Sequence, residues 1–145
     1  MFTSMQNFGT RRPSANAYRE VGVNTAVEGA TPHKMVSLLF AELSSQIANA
    51  RGAMARKDIA EKCKAIGHAV RIVEEGLSNA LDMQSGGAIA TNLRDLYDYL
   101  VRQLTMANLN NDDAKLSECA ELVRTLREGW DGIADQVHAS HRVST

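Results

Sequence analysis

The side chains able to do acid–base, metal or nucleophilic chemistry are few in this sequence, and their spacing does not suit it. Bundled zinc and di-iron centres need His-Glu-x-x-His or Glu-x-x-His pairs on inward helix faces, and neither pattern occurs. His33, His68, His138 and His141 therefore read as surface or partly packed side chains. Gly86-Gly87 is followed by no Lys-Ser/Thr pair and preceded by no strand pattern, so it is no phosphate loop. Serine elbows need a strand as well. Cys63 and Cys119 fall on apolar stripes, where a reduced thiol behaves as a small buried hydrophobe. What remains is an unusual set of amide and phenol groups within one segment: Asn92, Tyr97, Tyr99, Gln103 and Asn108. Beside an apolar stripe, such groups can hydrogen-bond the main chain of an added peptide while the stripe takes its apolar side chains. That chemistry is recognition, and it needs no cofactor, no metal and no catalytic residue.

The elements that must hold these groups are helices. A polar leader at 1–30 contains a weak helical stretch carrying Tyr18 and Val21, and it is expected to be mobile. Thr31 is a good N-cap with Pro32 at the first helical position. The first long helix then seams along Val36, Phe40, Leu43, Ile47, Ala50 and Met54. Asp58 with Glu61 forms a capping box for a second helix whose seam is Ile59, Cys63, Ile66, Val70, Val73, Leu77 and Leu81, ending near Asp82. Gly86-Gly87 allows the chain to reverse. A third seam follows Ile89, Leu93, Leu96, Leu100, Leu104 and Ala107. Asp112 caps a fourth helix striped by Leu116, Cys119, Val123, Leu126, Trp130, Ile133 and Val137. Short connections make neighbours antiparallel, so the expected fold is all-α: an up-down-up-down four-helix bundle over 31–139, with a frayed tail at 140–145.

A chain of 145 residues with 44% hydrophobic and 23% charged residues can bury one continuous core. A net charge of -1 provides no field for phosphate backbones, which argues against a nucleic-acid partner. No signal-peptide run or membrane-length apolar segment is present, so no membrane insertion and a cytoplasmic location are expected.

Beyond the seams, apolar and small residues form extra stripes. Ala65, Ala69, Ile72, Gly76 and Ala80 lie beside the second seam, and Gly76 suggests that another backbone comes close. Met35 and Leu39 flank the first seam. On the third helix Asn92 and Tyr99 lie on one flank, and Tyr97, Val101 and Asn108 on the other, giving a usable face of roughly 200°. The bland alternative is a thick bundle covered by its own leader. The bottom-up reading is a helical interaction module with a groove.

Ala17-Tyr18, Ala30-Thr31-Pro32 with Met35-Val36-Ser37-Leu38-Leu39-Phe40, GGAIATNLRDLYDYL from Gly86 to Leu100, Ala107-Asn108 and Trp130 occur in an order that resembles the flagellin-specific export chaperone (FliS) family. The resemblance covers about residues 17–134. It implies a non-enzymatic cytosolic chaperone that holds the disordered C-terminal segment of flagellin. Such a chaperone blocks premature polymerisation and presents the client to a component of the flagellar type III export gate. Groove residues are then expected among Met35, Leu39, Ala69, Ile72, Gly76, Asn92, Tyr97, Tyr99, Val101 and Asn108, with Tyr18 and Val21 as an N-terminal cap. The competing reading is a structural or regulatory bundle that self-associates weakly, as a homodimer, through the same stripes.

Overall fold

The computed structural model describes residues 31–84 and 87–144, and every element among them is helical. Tyr18, Val21 and the leader's short helix lie outside the described residues. Helix α1 spans Pro32–Ala55 and α2 spans Ile59–Arg71. A π-helical turn, Ile72–Leu77, continues α2 without a break into α3, Ser78–Gln84, making one long second rod. Helices α4, Gly87–Asn110, and α5, Asp113–Ser144, complete the set.

Three helix starts follow the expected capping chemistry. Thr31 Oγ1 accepts from the Lys34 amide at 3.0 Å, Asp58 Oδ1 from Glu61 at 3.1 Å, and Asp112 Oδ1 from Lys115 at 3.2 Å. Each satisfies an amide that the first helical turn leaves without a partner. Two connections share one design. Lys57 (φ 62°) and Asn111 (φ 52°) are left-handed, and the next residue donates back across the turn, Asp58 to the Ala53 carbonyl and Asp112 to the Ala107 carbonyl. This is the Schellman stop, and in both places the residue that closes one helix caps the next. Gly87, at φ 54°, supplies the third left-handed position, as the reversal there requires.

The rods pack in a ring: α1 on the second rod and on α5, and α4 on the second rod and on α5. Contacts at both ends define their relative directions. His33, at the start of α1, meets Trp130 late in α5, while Arg51, near the end of α1, binds Asp113 at the start of α5. Lys62, early in α2, reaches Asn108 near the end of α4.

The core holds Val36, Phe40, Leu43, Ile47, Ala50 and Ala53 of α1, with Leu100, Leu104 and Ala107 of α4 and Leu116, Cys119 and Val123 of α5. Burial pushes the Cys119 thiol up to about 11, as expected for a structural cysteine. Several seam assignments change. Ala53 replaces Met54 as the last buried residue of the α1 seam, and Met54 is only partly buried. The second rod is rotated relative to expectation: Ile59 is 63% exposed, Cys63 is exposed and Val70 half-buried, whereas Ala65, Ala69 and Ile72 are buried with Ile66, Val73, Leu77 and Leu81. A strict 3.5-residue rhythm drifts by ~20° per heptad against a straight helix, and here the true face lies between the two stripes. The second rod also runs to Gln84, past Asp82, and α5 continues to Ser144.

Ile89 is a different correction, being 69% exposed. It lies five full turns from Ala107, at the same angle around the α4 axis, yet Ala107 is fully buried. Position along the axis, not phase, leaves it uncovered. Leu93, Leu96, Leu126 and Trp130 are half-buried and Ile133 is exposed, so burial declines toward the same end on both α4 and α5.

Candidate functional site

The polar groups flagged on α4 do three different jobs. Tyr99 donates its hydroxyl to Glu118 Oε2 at 2.7 Å, and Gln103 donates to Oε1 of the same carboxylate at 3.1 Å. The hydrogen bond from Tyr99, then that from Gln103, holds the Glu118 carboxyl below its ordinary range, and the same bond raises the Tyr99 phenol. These two flank residues therefore tie α4 to α5. Asn108 serves the opposite flank. Its carbonyl accepts from Lys62 Nζ at 3.0 Å, and its side-chain oxygen lies 3.5 Å from Cys63 Sγ. Asn92 is exposed.

Tyr97 is in the core, 3% exposed, where the flank assignment put it on free surface. It lies only ~20° around the axis from Leu104, well within a core-facing stripe. Desolvation pushes its phenol up to about 12. Ala69 and Ile72 are likewise core residues, so neither offers surface to a partner while the packing holds. Gly76 does mark a close approach, but of a side chain rather than a backbone: Leu39 lies against it. Met35, Leu39 and Val101 are half-buried and keep part of their surface.

What the structure brings together is an apolar end. Counting equally back from Tyr99 and forward from Glu118 sets Ile89 level with the Glu128 turn of α5. There the exposed Ile89 and Ile133 and the half-buried Leu93 and Leu126 border the place where α1 begins. That beginning is fastened to α5. His33 and Trp130 stack with centroids 4.5 Å apart and planes 13° from parallel. The Trp130 indole donates to the His33 carbonyl at 3.0 Å, and His33 Nε2 lies 2.8 Å from the Trp130 carbonyl, which it can reach only as a donor. Ser37 adds a bond to Asp131 at 2.8 Å.

Three of these residues escaped the sequence reading. Lys62 is 4% exposed, yet its ammonium bonds the Asn108 carbonyl and the Asn111 side chain, stabilising the C-terminal end of α4, where carbonyls lack helical partners. Extending the Ala65–Ala69–Ile72 stripe back one turn lands on Lys62, which was the available signal. Glu118 and His33 carry no local signal, because their partners lie on other helices. Among the described residues no three His, Cys, Asp or Glu side chains converge on a metal position, and no helix is long and apolar enough to cross a membrane.

An all-helical scaffold with exposed core-phase residues at one end, and polar side chains used to join helices, defines a protein-interaction module. The family profile described as "Flagellar protein FliS" matches residues 14–137. The chain is 39% identical over 118 residues to the flagellar secretion chaperone FliS of Salmonella typhimurium, covering 81% of this chain and 87% of that one. It is 41% identical over 117 residues to FliSB of Pseudomonas aeruginosa, covering 81% and 92%. Against FliS of Vibrio cholerae it is 36% identical over 127 residues, covering 88% and 93%. The chain belongs to the FliS family of flagellar secretion chaperones.

Proposed function

We propose that this protein is a cytoplasmic chaperone that binds the disordered C-terminal segment of flagellin, prevents its premature polymerisation and delivers it to the flagellar type III export gate. Family membership over nearly the whole chain carries the reading. The exposed Ile89, on the core phase of α4 yet uncovered, supports it physically. A client that folds on binding loses ordering entropy, and a long apolar surface offsets that loss better than a compact pocket. Met35, Leu39, Val101 and Asn108, each partly accessible, and the exposed Asn92 continue that surface along the rods. Tyr99 contributes through its tie to Glu118. The reciprocal end contacts support an up-down-up-down course, and the leader with Tyr18 and Val21 acts as a removable cover of the groove.

Calorimetric titration with a flagellin C-terminal peptide tests this reading. Binding is expected, weakened by Ile89→Asp and Asn92→Ala with thermal stability nearly unchanged, and tightened by deleting residues 1–24. Absence of binding by the intact chain and by the deletion variant would refute it. Concentration-dependent dimerisation without peptide binding would instead favour the self-associating bundle, to which the exposed Ile59 and Leu109 at the other end would contribute.

A further inference from the structure

We propose that α5 from Gly129 onward is a hinged arm that opens from the bundle as a unit, with the His33–Trp130 stack as its latch. At 32 residues α5 is longer than α1 or α4, at 24 each, and its burial declines along its length. Leu116, Cys119 and Val123 are buried, Leu126 and Trp130 half-buried, and Ile133 exposed.

Two glycines flank the tryptophan in Glu128-Gly129-Trp130-Asp131-Gly132, and a Cβ built on either would meet nothing within 4 Å. No close packing requires them. Mid-helix glycine disfavours the helix about five-fold relative to alanine, so the pair weakens α5 at this one place.

The fastenings concentrate there too. The indole–carbonyl bond, the imidazole–carbonyl bond, the stack and the Ser37–Asp131 bond all join residues 130–131 to the first turns of α1. A weak helix held by one dense cluster of contacts behaves as a two-state element: it opens when the cluster breaks, while the buried half of α5 stays in place. The Trp130 carbonyl, approached by His33 as well as by its own helix, keeps that junction helical only while α1 is docked.

Trp130 is the chain's single tryptophan, so its fluorescence reports the latch directly. Hydrogen exchange on the full chain should show residues 129–144 exchanging at least ten-fold faster than amides around Leu104 and Val123. His33→Ala should accelerate the arm a further five-fold or more, raise acrylamide quenching of Trp130 about two-fold, and leave the Leu104 region unchanged. Gly129→Ala with Gly132→Ala should slow exchange in the arm alone, and this variant keeps the test open should His33→Ala fail to fold. Arm exchange equal to that of the rest of α5, or glycine replacement that leaves the arm unchanged, would overturn the proposal. So would a folded His33→Ala variant whose exchange rises uniformly across the bundle.

Discussion

Leu39 and Gly76 meet so closely that a Cβ built on the glycine would lie 3.0 Å from Leu39 Cδ1 and 3.2 Å from Cδ2. The contact joins α1 to the π-helical turn of the second rod, and it is the reason a glycine sits there despite its cost in a helix.

Gly76→Ala asks a half-buried, flexible leucine end to shift by a few tenths of an ångström, against a helix-propensity gain of ~1 kcal/mol. The two nearly cancel, and stability should change by less than about 1 kcal/mol. Gly76→Val adds bulk that Leu39 cannot evade and should cost about 1–3 kcal/mol. Urea denaturation of both variants, each with and without Leu39→Ala, checks this. The valine penalty should shrink when Leu39 is truncated, since residues in contact are non-additive.

Tyr97→Ala removes a core aromatic and should cost about 3–5 kcal/mol, whereas Tyr97→Phe keeps the ring and should cost far less. The phenol also sets a pH dependence. Its folded value, about 12, lies above the ordinary value of 10, so the folded state holds the proton more tightly. The associated stability is complete below pH 10 and is lost as pH rises from 10 toward 12. Denaturation midpoints should fall over that window in the native chain and fall less in Tyr97→Phe.

The two thiols should separate by reactivity. Cys63 is exposed, while Cys119 is buried with its thiol raised to about 11. Thiolate is the reacting species, so iodoacetamide at pH 8 should label Cys63 and spare Cys119 until denaturant is added. Equal labelling of both in the native chain would contradict the buried position of Cys119.

Lys57 holds a left-handed conformation that costs a non-glycine residue about 1–2 kcal/mol. Lys57→Gly relieves that strain but gains freedom in the unfolded chain, so a net stabilisation of about 0.5–1 kcal/mol is expected. Asn111→Ala, at the matching turn, should destabilise, because alanine tolerates φ 52° poorly and Lys62 loses its side-chain partner. Thermal unfolding of the two variants should shift in opposite directions.

The helices, their starts and their turns were legible in the sequence, because Thr31, Asp58 and Asp112 cap through residues three positions away and apolar periodicity is a property of each helix alone. The family could be recognised for a similar reason, since its motifs are local strings. Tertiary structure decided what covers each face. Ile89 and Ala107 share an angle, yet one is exposed and the other buried, because neighbouring rods end at different heights. Lys62 is buried and Ile59 exposed because the C-terminal end of α4 offers that rod carbonyl and amide oxygens to bond. Tyr97 fell on the flank by periodicity and in the core by packing, since the width of a buried face depends on how closely its neighbours approach. His33 and Trp130, 97 positions apart, share no local pattern, and only the packing of α1 against α5 could pair them.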